Sequence, residues 1–461
     1  MKTRTYKLIA ILVVLALLTA AIYAVLVLKT DSQINRPILL EGTIVTPDTV
    51  IPDGWVLVQD GKISLVSASK PDAPNAIEVD TGGIIFPGLI DLHNHVSFNV
   101  FPRWHPSHLY VDGYEWRTAP DYLSRVRDPY DQLLEKNYFC EMNTYGELRA
   151  LVGGTTSILA TASASCIRGL VRNLDKGSEF YRWPEFDNQH IRNEIEMRAE
   201  TDPATITSVQ SFLAESRSEA FFIHLAQGVD TTSLDEFYFA QSQGVLTDKT
   251  AIIHGIALGP KEFSAMHDAG VALVWSPRCN IEHYGTTADI GAALDAGVQI
   301  ALAPDWAITG SSNMLDELHY AAQWNADHLS GRLTDQQLVE MVTSIPAQIA
   351  GIDDQVGAIR PGLFADLLVI SGDRDNPYPA LVQAQAGDVQ LVLIGGQPIY
   401  GIPAFMDMFW KVSDLNEVNI DGKPKMIRMP NSSVSFDKLV SDLQIILTLQ
   451  GTHLAPLTES R

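Results

Sequence analysis

The sequence predicts an α/β protein: a (β/α)8 barrel joined to a composite β-sandwich drawn from both flanks of the chain, preceded by one N-terminal transmembrane helix. Three observations carry this prediction. Short apolar runs (IIFPGLIDLH, TTSILAT, EAFFIHLA, TAIIHGIAL, VALVWSPR, VQIALAPDW) recur through the middle with helix-like segments between or after them. Parallel strands covered on both faces have this texture. Gly- and Pro-punctuated β-rich runs stand on either side of that middle. A long uncharged apolar run opens the chain.

In that opening segment Lys2, Arg4 and Lys7 precede the apolar run 8–28, and only Lys29 follows closely. The run is about long enough to cross a bilayer as a helix, and its basic flank would keep the N-terminus in the cytoplasm. Residues 1–30 are therefore expected to be an anchor that leaves the catalytic body extracytoplasmic, either periplasmic or extracellular. A cleaved signal peptide, giving a secreted form, is the rival; the run is long for one and lacks a small-x-small ending.

Residues 37–82 (ILLEGTIV, GWVLVQDGKISLVSA) and 355–403 (GAIRPGLFADLLVISGD, VQLVLIGGQPIYG) share the short-strand texture, so the ends are expected to meet in one β-domain. Residues 83–354 are the barrel, with helical periodicity over 132–151, 204–217, 313–329 and 334–349. Six barrel strands can be placed, and those between 160 and 221 cannot. The segment 98–131 interrupts the alternation with Phe101, Trp104, Tyr110, Tyr114, Trp116 and Tyr122. A long loop after the first barrel strand would overhang the C-terminal face as a lid or pocket wall. The tail 404–461 contains FDKLVSDLQIIL, spaced as a helix packed on the body.

Lys plus Arg number 32 against 55 Asp plus Glu, a net charge of −23. A surface this acidic repels phosphate backbones, which argues against a nucleic-acid partner. Cys140, Cys166 and Cys279 allow at most one internal disulfide; Cys140 with Cys166 is one possible pair, sequence alone does not set the pairing, and free buried thiols are the alternative.

The candidate chemistry begins in GLIDLHNHVSF. His93 and His95 are two apart, so on a strand both rings share a face, and two neutral imidazoles on one point suit a divalent metal. Further ligand types stand where strands should end: His224 in FFIHLAQ, His254 in AIIHGIAL and Asp305 in IALAPDW. Active sites of such barrels are built from those strand ends.

With these residues the chain resembles the amidohydrolase superfamily, over nearly the whole length after the N-terminal run. Its flanks resemble the branch of chlorohydrolases, triazine hydrolases and aminohydrolases of cyclic amidines. SPRCN at 276–280 is similar to the CPxSN element of that branch with Cys and Ser exchanged, and GSSNMLDEL follows Asp305 as in its pattern. The resemblance implies that His93, His95, His224 and Asp305 hold one divalent ion, Zn2+ ahead of Fe2+. It also implies that Asp305 takes the proton of the metal-activated water, and that His254 polarises the electrophile or stabilises its developing charge. Gln227, Asn280 and Trp306 are assigned to the substrate. No lysine stands where a fourth strand would offer one to a second metal.

One position departs from the pattern. Aminohydrolases of this branch carry H-x-x-E after the fifth strand, and here the sequence is His224-Leu225-Ala226-Gln227. An amide does not titrate, so Gln227 can only hydrogen-bond; Glu282 and His283 are alternative proton sources. The implied activity is metal-dependent hydrolysis of a C–N bond of a small molecule, with a cyclic amide-like bond fitting Gln227 better than standard deamination. The rival is a non-catalytic metal-containing binding protein on the same fold. The other expected partner is the membrane, through the N-terminal helix, and self-association is left open.

Overall fold

The computed structural model describes residues 34–159, 170–175, 190–429 and 435–459, and the elements named below belong to the unit Arg36–Arg461. The N-terminal flank supplies β1 (Ile38–Val45), β2 (Val50–Gln59), β3 (Lys62–Ser67) and β4 (Ile77–Pro87). The barrel strands are β5 (Leu89–Asp91), β6 (Thr155–Ile158), β7 (Arg172–Asn173), β8 (Ile191–Glu196), β9 (Ala220–Leu225), β10 (Thr250–His254), β11 (Ala272–Trp275) and β12 (Ile300–Leu302). The C-terminal flank returns with β13 (Leu367–Ile370), β14 (Val389–Ile394), β15 (Gln397–Gly401), β16 (Asn416–Ile420) and β17 (Lys423–Ile427).

The eight barrel strands run parallel in two arcs, β5-β6-β7 and β8-β9-β10-β11-β12. Asn193 Nδ2 donates to Asp175 Oδ2 at 2.9 Å between the ends of β8 and β7. On the other side a parallel bridge joins Asn94 to Asp305, with Asp305 N donating to His93 O at 3.0 Å and His95 N to Asp305 O at 2.8 Å. The first and last barrel strands are thus stitched by the residues expected to bind metal.

The strands read as unbroken apolar runs because both faces are covered. Phe222, Ile253, Val274 and Ala301 pack inside the barrel, whereas Phe221, Ile252, Leu273 and Leu302 join the larger core outside it. His224 keeps the phase of Ala220 and Phe222, so the period of two aims it inward.

Several expectations are corrected. IIFPGLIDLH is two strands: its first part ends β4 at Pro87, and β5 begins after Gly88. The unplaced barrel strands are β7 and β8, only two residues long in the first case and without the apolar run that marks the others. In place of two facing sheets, the flanks pair as one nine-stranded sheet, β16-β17-β15-β14-β13-β4-β1-β2-β3, and its outer hairpin comes from the tail. The helix expected over 132–151 is two, Asp128–Glu135 and Phe139–Val152, parted near Asn137, which has φ 62°. The tail helix Phe436–Leu449 packs against Phe139–Val152.

Sheet and barrel are fastened by a buried ion pair. Arg172 at β7 donates through Nε to Asp366 Oδ2 at 2.6 Å and through Nη2 to Oδ1 at 3.0 Å, and Gly395 N donates to the same Oδ1 at 2.7 Å. The tail reaches the barrel mouth: Ala455 N donates to Val100 O at 2.9 Å, Tyr145 donates to Ala455 O, and Glu459 faces Arg149 at 3.4 Å and Arg103 at 3.6 Å.

The expected anchor at 8–28 lies outside the described residues. Among the described residues no helix is long and apolar enough to cross a membrane. Cys140 is disulfide-bonded and Cys279 is free and buried, while Cys166 lies outside the described residues.

Candidate metal centre

Five side chains from four strand ends converge at the C-terminal mouth of the barrel. His93 and His95 follow β5, His224 lies in β9, His254 ends β10 and Asp305 follows β12. His93 Nε2 lies 3.1 Å from His224 Nε2 and 3.3 Å from Asp305 Oδ1, and His95 Nε2 lies 3.4 Å from that same oxygen. His254 Nε2 stands 4.0 Å from Asp305 Oδ2.

These spacings test whether a metal fits. Burial, reinforced by the neighbouring histidines, holds His93 well below the usual imidazole pKa, so it is neutral and offers a lone pair. Lone pairs facing each other across 3.1 Å repel unless a cation or proton lies between them. A tetrahedron with bonds of about 2.0–2.1 Å has edges of about 3.3–3.4 Å. The donor set and its spacing therefore fit a divalent ion. Burial also lowers His95 to about 4, with the Arg117 guanidinium adding to it. Burial raises Asp305 to about 7, opposed by a hydrogen bond to Cys279.

The strand ends are unusual in their backbone. Ala226, His254 and Asp305 have φ of 55°, 74° and 67°, left-handed values that non-glycine residues rarely adopt. Such strain collects at functional sites. Around them a layer of hydrogen bonds fixes the rings. His93 Nδ1 meets Ser276 Oγ at 3.2 Å, and Cys279 Sγ lies 3.2 Å from Thr309 Oγ1 besides its bond to Asp305. The exchange of Ser and Cys thus places a hydroxyl behind one expected ligand and a thiol behind another. Asp91, raised to about 8 by burial, accepts from His93 N at 3.1 Å and Asn94 Nδ2 at 2.6 Å. Asn99 continues this chain from Asn94 Oδ1 to Ala307 N, past Asp305.

Asn280 stands one layer further back than expected. Its Oδ1 lies 2.9 Å from His254 Nδ1, and its Nδ2 donates to Thr287 Oγ1 at 3.0 Å. Both ends are spent inside the protein, so it holds His254 and has no free group for a substrate. The amide orientation makes His254 Nδ1 the N–H and leaves the Nε2 lone pair facing Asp305. Trp306 is buried against the loop 98–131, with ring centroids 5.5 Å from Trp116, 5.7 Å from Phe98 and 5.8 Å from His95. That loop covers the mouth, its aromatic residues mostly buried. Of the two alternative proton sources, Glu282 pairs with His105 at 2.6 Å, and His283 is packed among Trp104, Trp116 and Trp306.

Gln227 does line a small recess beside His224, together with Tyr114, Arg117, Glu196 and Glu236. Sequence reading named Tyr114 only among the aromatic residues of the expected lid and missed Arg117, Glu196 and Glu236. Glu196 ends β8 in register with His224, inside the stretch where no strand was legible. Glu236, on the helix Thr231–Ser242, accepts from Ala226 N at 2.9 Å and from Tyr114 Oη at 2.6 Å. Arg117 and Tyr114 sit on the short lid helix Gly113–Arg117, and only their place in a loop above the active face could have pointed to them.

Comparison with known proteins gives a consistent set. The amidohydrolase family model matches residues 207–399. The chain is 22% identical over 390 residues to the 5-methylthioadenosine/S-adenosylhomocysteine deaminase of Acetivibrio thermocellus, covering 76% of this chain and 89% of that one. It is 24% identical over 422 residues to the 5'-deoxyadenosine deaminase of Methanopyrus kandleri, covering 78% and 93%. Among solved structures, a triazine hydrolase variant superposes with a TM-score of 0.66 at 17% identity, covering 89% of this chain and 99% of that one. An adenosine deaminase from Xanthomonas campestris with bound zinc does so at 0.60 and 16%, covering 90% and 99%. The expected membrane-anchored, extracytoplasmic placement is corrected on the comparison: the similar curated proteins are deaminases.

Proposed function

The chain belongs to the amidohydrolase superfamily, and from that premise we propose that it is a metal-dependent hydrolase cleaving a carbon–nitrogen bond, other than a peptide bond, in a small molecule. The observation that carries this reading is the convergence of four imidazoles and one carboxylate at the barrel mouth. A divalent ion there, Zn2+ in this reading with Fe2+ the alternative, supplies Lewis acidity and makes a bound water acidic. His93, His95, His224 and Asp305 would hold it.

The protein's own groups then divide the remaining work. Asp305 accepts the proton of the attacking water and returns it to the leaving nitrogen. On its way to the leaving nitrogen that proton can pass to His254 Nε2, which stands 4.0 Å from Asp305 Oδ2 and must close that gap to take it; while it holds the proton, His254 is a donor to the oxygen on which negative charge develops. Asn280 keeps the His254 tautomer that allows this. Gln227 hydrogen-bonds the substrate in the recess, and Trp306 with the aromatic lid walls it off from bulk water. Gln227 cannot give a proton, so a cyclic amide-like bond, whose nitrogen can be protonated from Asp305, suits this site better than an exocyclic amine.

The test is a hydrolysis screen of metal-loaded protein against cyclic amides, imides, amidines, halogenated heteroaromatics and 5'-deoxyadenosine. Turnover that a chelator abolishes and Zn2+ restores is expected. Stoichiometric metal binding with no turnover in any class would replace the enzyme by a metal-containing binding protein.

A further inference from the structure

The lid holds Gln227 at two points. Gly113 N donates to the Gln227 backbone oxygen at 3.0 Å, and Arg117 Nη2 approaches Gln227 Oε1 at 3.5 Å. The second contact is long for a hydrogen bond, yet it decides which way the amide faces. A guanidinium has only donors, so the oxygen end of the amide belongs beside it and the NH2 end does not. Arg117 is itself held in place: Nη1 donates to Glu196 Oε2 at 2.7 Å, and its charge lies over the rings of Tyr114 and Trp116 at 5.7 and 5.5 Å. Gly113 leaves room for this approach, since a Cβ there would stand 3.0 Å from Gln227 Oε1 and press on the amide. No group among the described residues accepts from Gln227 Nε2, and the side chain lines the recess beside His224.

We propose that Arg117 is a specificity-determining residue: by taking Oε1 of Gln227 it turns the amide NH2 into the recess, so the site selects substrates that present a hydrogen-bond acceptor, a carbonyl oxygen or unprotonated ring nitrogen, beside the scissile C–N bond. This rests on the hydrolase reading above and names the substrate feature that reading leaves open. A glutamate at this position can accept from a substrate N–H or donate when protonated. The clamped glutamine only donates. One lid residue thus fixes the hydrogen-bond polarity of a position whose identity alone leaves it undetermined, since a free amide can present either end.

Two measurements test this, and neither needs turnover, so they stay readable if the hydrolase reading fails. Neutron diffraction from crystals of the perdeuterated full chain should place the two side-chain deuterons of Gln227 on the atom facing the recess; deuterons facing Arg117 overturn the proposal. Calorimetry on the zinc-loaded full chain compares 2-piperidone, an acceptor at its carbonyl, with 2-iminopiperidine, a donor at the same place. The lactam should bind more tightly to the unmodified protein. Arg117→Met should narrow that preference about tenfold, the scale of one net hydrogen bond. Arg117→Lys, still offering only donors, should keep it, and Gln227→Glu should reverse it. A preference for the amidine in the unmodified protein, or an unchanged ratio in a folded Arg117→Met protein, overturns the assignment.

Discussion

Asn280→Ala separates the two roles open to His254. In the parent, Oδ1 of Asn280 receives the Nδ1–H of His254 at 2.9 Å, and the far end of the amide is pinned on Thr287 at 3.0 Å. Removing the amide leaves a fully buried N–H without a partner, which costs about 1–3 kcal/mol. The imidazole recovers part of that by moving its proton to Nε2, which sets an N–H against the metal-binding cluster and removes the lone pair beside Asp305. Loss of an orienting partner of this kind typically costs about 10–100-fold. If His254 handles the proton, that loss falls on kcat/KM, and zinc affinity measured by chelator competition stays within about threefold of the parent. Asn280→Asp keeps an acceptor in place and should recover part of the activity. Thr287→Val unpins the amide and should fall between the parent and Asn280→Ala. A fall in zinc affinity that parallels kcat/KM would mean that His254 is itself a ligand, and the division of labour argued above would be wrong.

Other outcomes rest on the same geometry. His93→Ala, His95→Ala, His224→Ala and Asp305→Ala should each lower bound zinc strongly by elemental analysis, whereas His254→Ala should lose turnover with its zinc retained. Asp366→Ala leaves the buried Arg172 guanidinium without its carboxylate and should destabilise by about 3–5 kcal/mol in urea titration; a change under about 1 kcal/mol would show that the pair does not tie sheet to barrel. Burial raises Glu147 to about 7 from the ordinary 4.5, although it accepts from Leu170 N at 2.6 Å. The folded state then holds a proton that the unfolded state releases, so its stability falls as pH rises from about 4.5 to about 7. Asp91 and Asp305, also raised by burial, add slopes of the same sign, so Glu147→Gln should make the dependence shallower by one proton's share, and equal pH dependence of parent and variant would refute the shift.

The sequence made the proposed metal ligands legible because they stand at the ends of runs whose burial on both faces leaves an apolar signature. It hid β7 and β8, since two residues of strand carry no periodicity and Ile191–Glu196 is polar at four of its six positions. The Pro87-Gly88 junction was hidden for the opposite reason: apolar residues continue through it, though hydrogen bonding passes from one sheet to another. Arg117, Glu196 and Glu236 come together only through tertiary structure, from a lid, a strand end and a helix. Asn280 was legible as a position near the site, but its direction was not.

Asp305 closes the barrel with its backbone and faces the histidines with its side chain, and its partner His93 lies 305 − 93 = 212 residues earlier. A nascent chain therefore carries an unfinished cluster of imidazoles through nearly half of its synthesis, able to meet a stray ion but not to cage it. Only arrival of the last stave joins the seam and completes the donor set in one event. Occupancy and closure should then be gained or lost together: metal in the medium should slow the opening of that seam, read as amide exchange at His95 and Asp305, far more than exchange in the distant nine-stranded sheet.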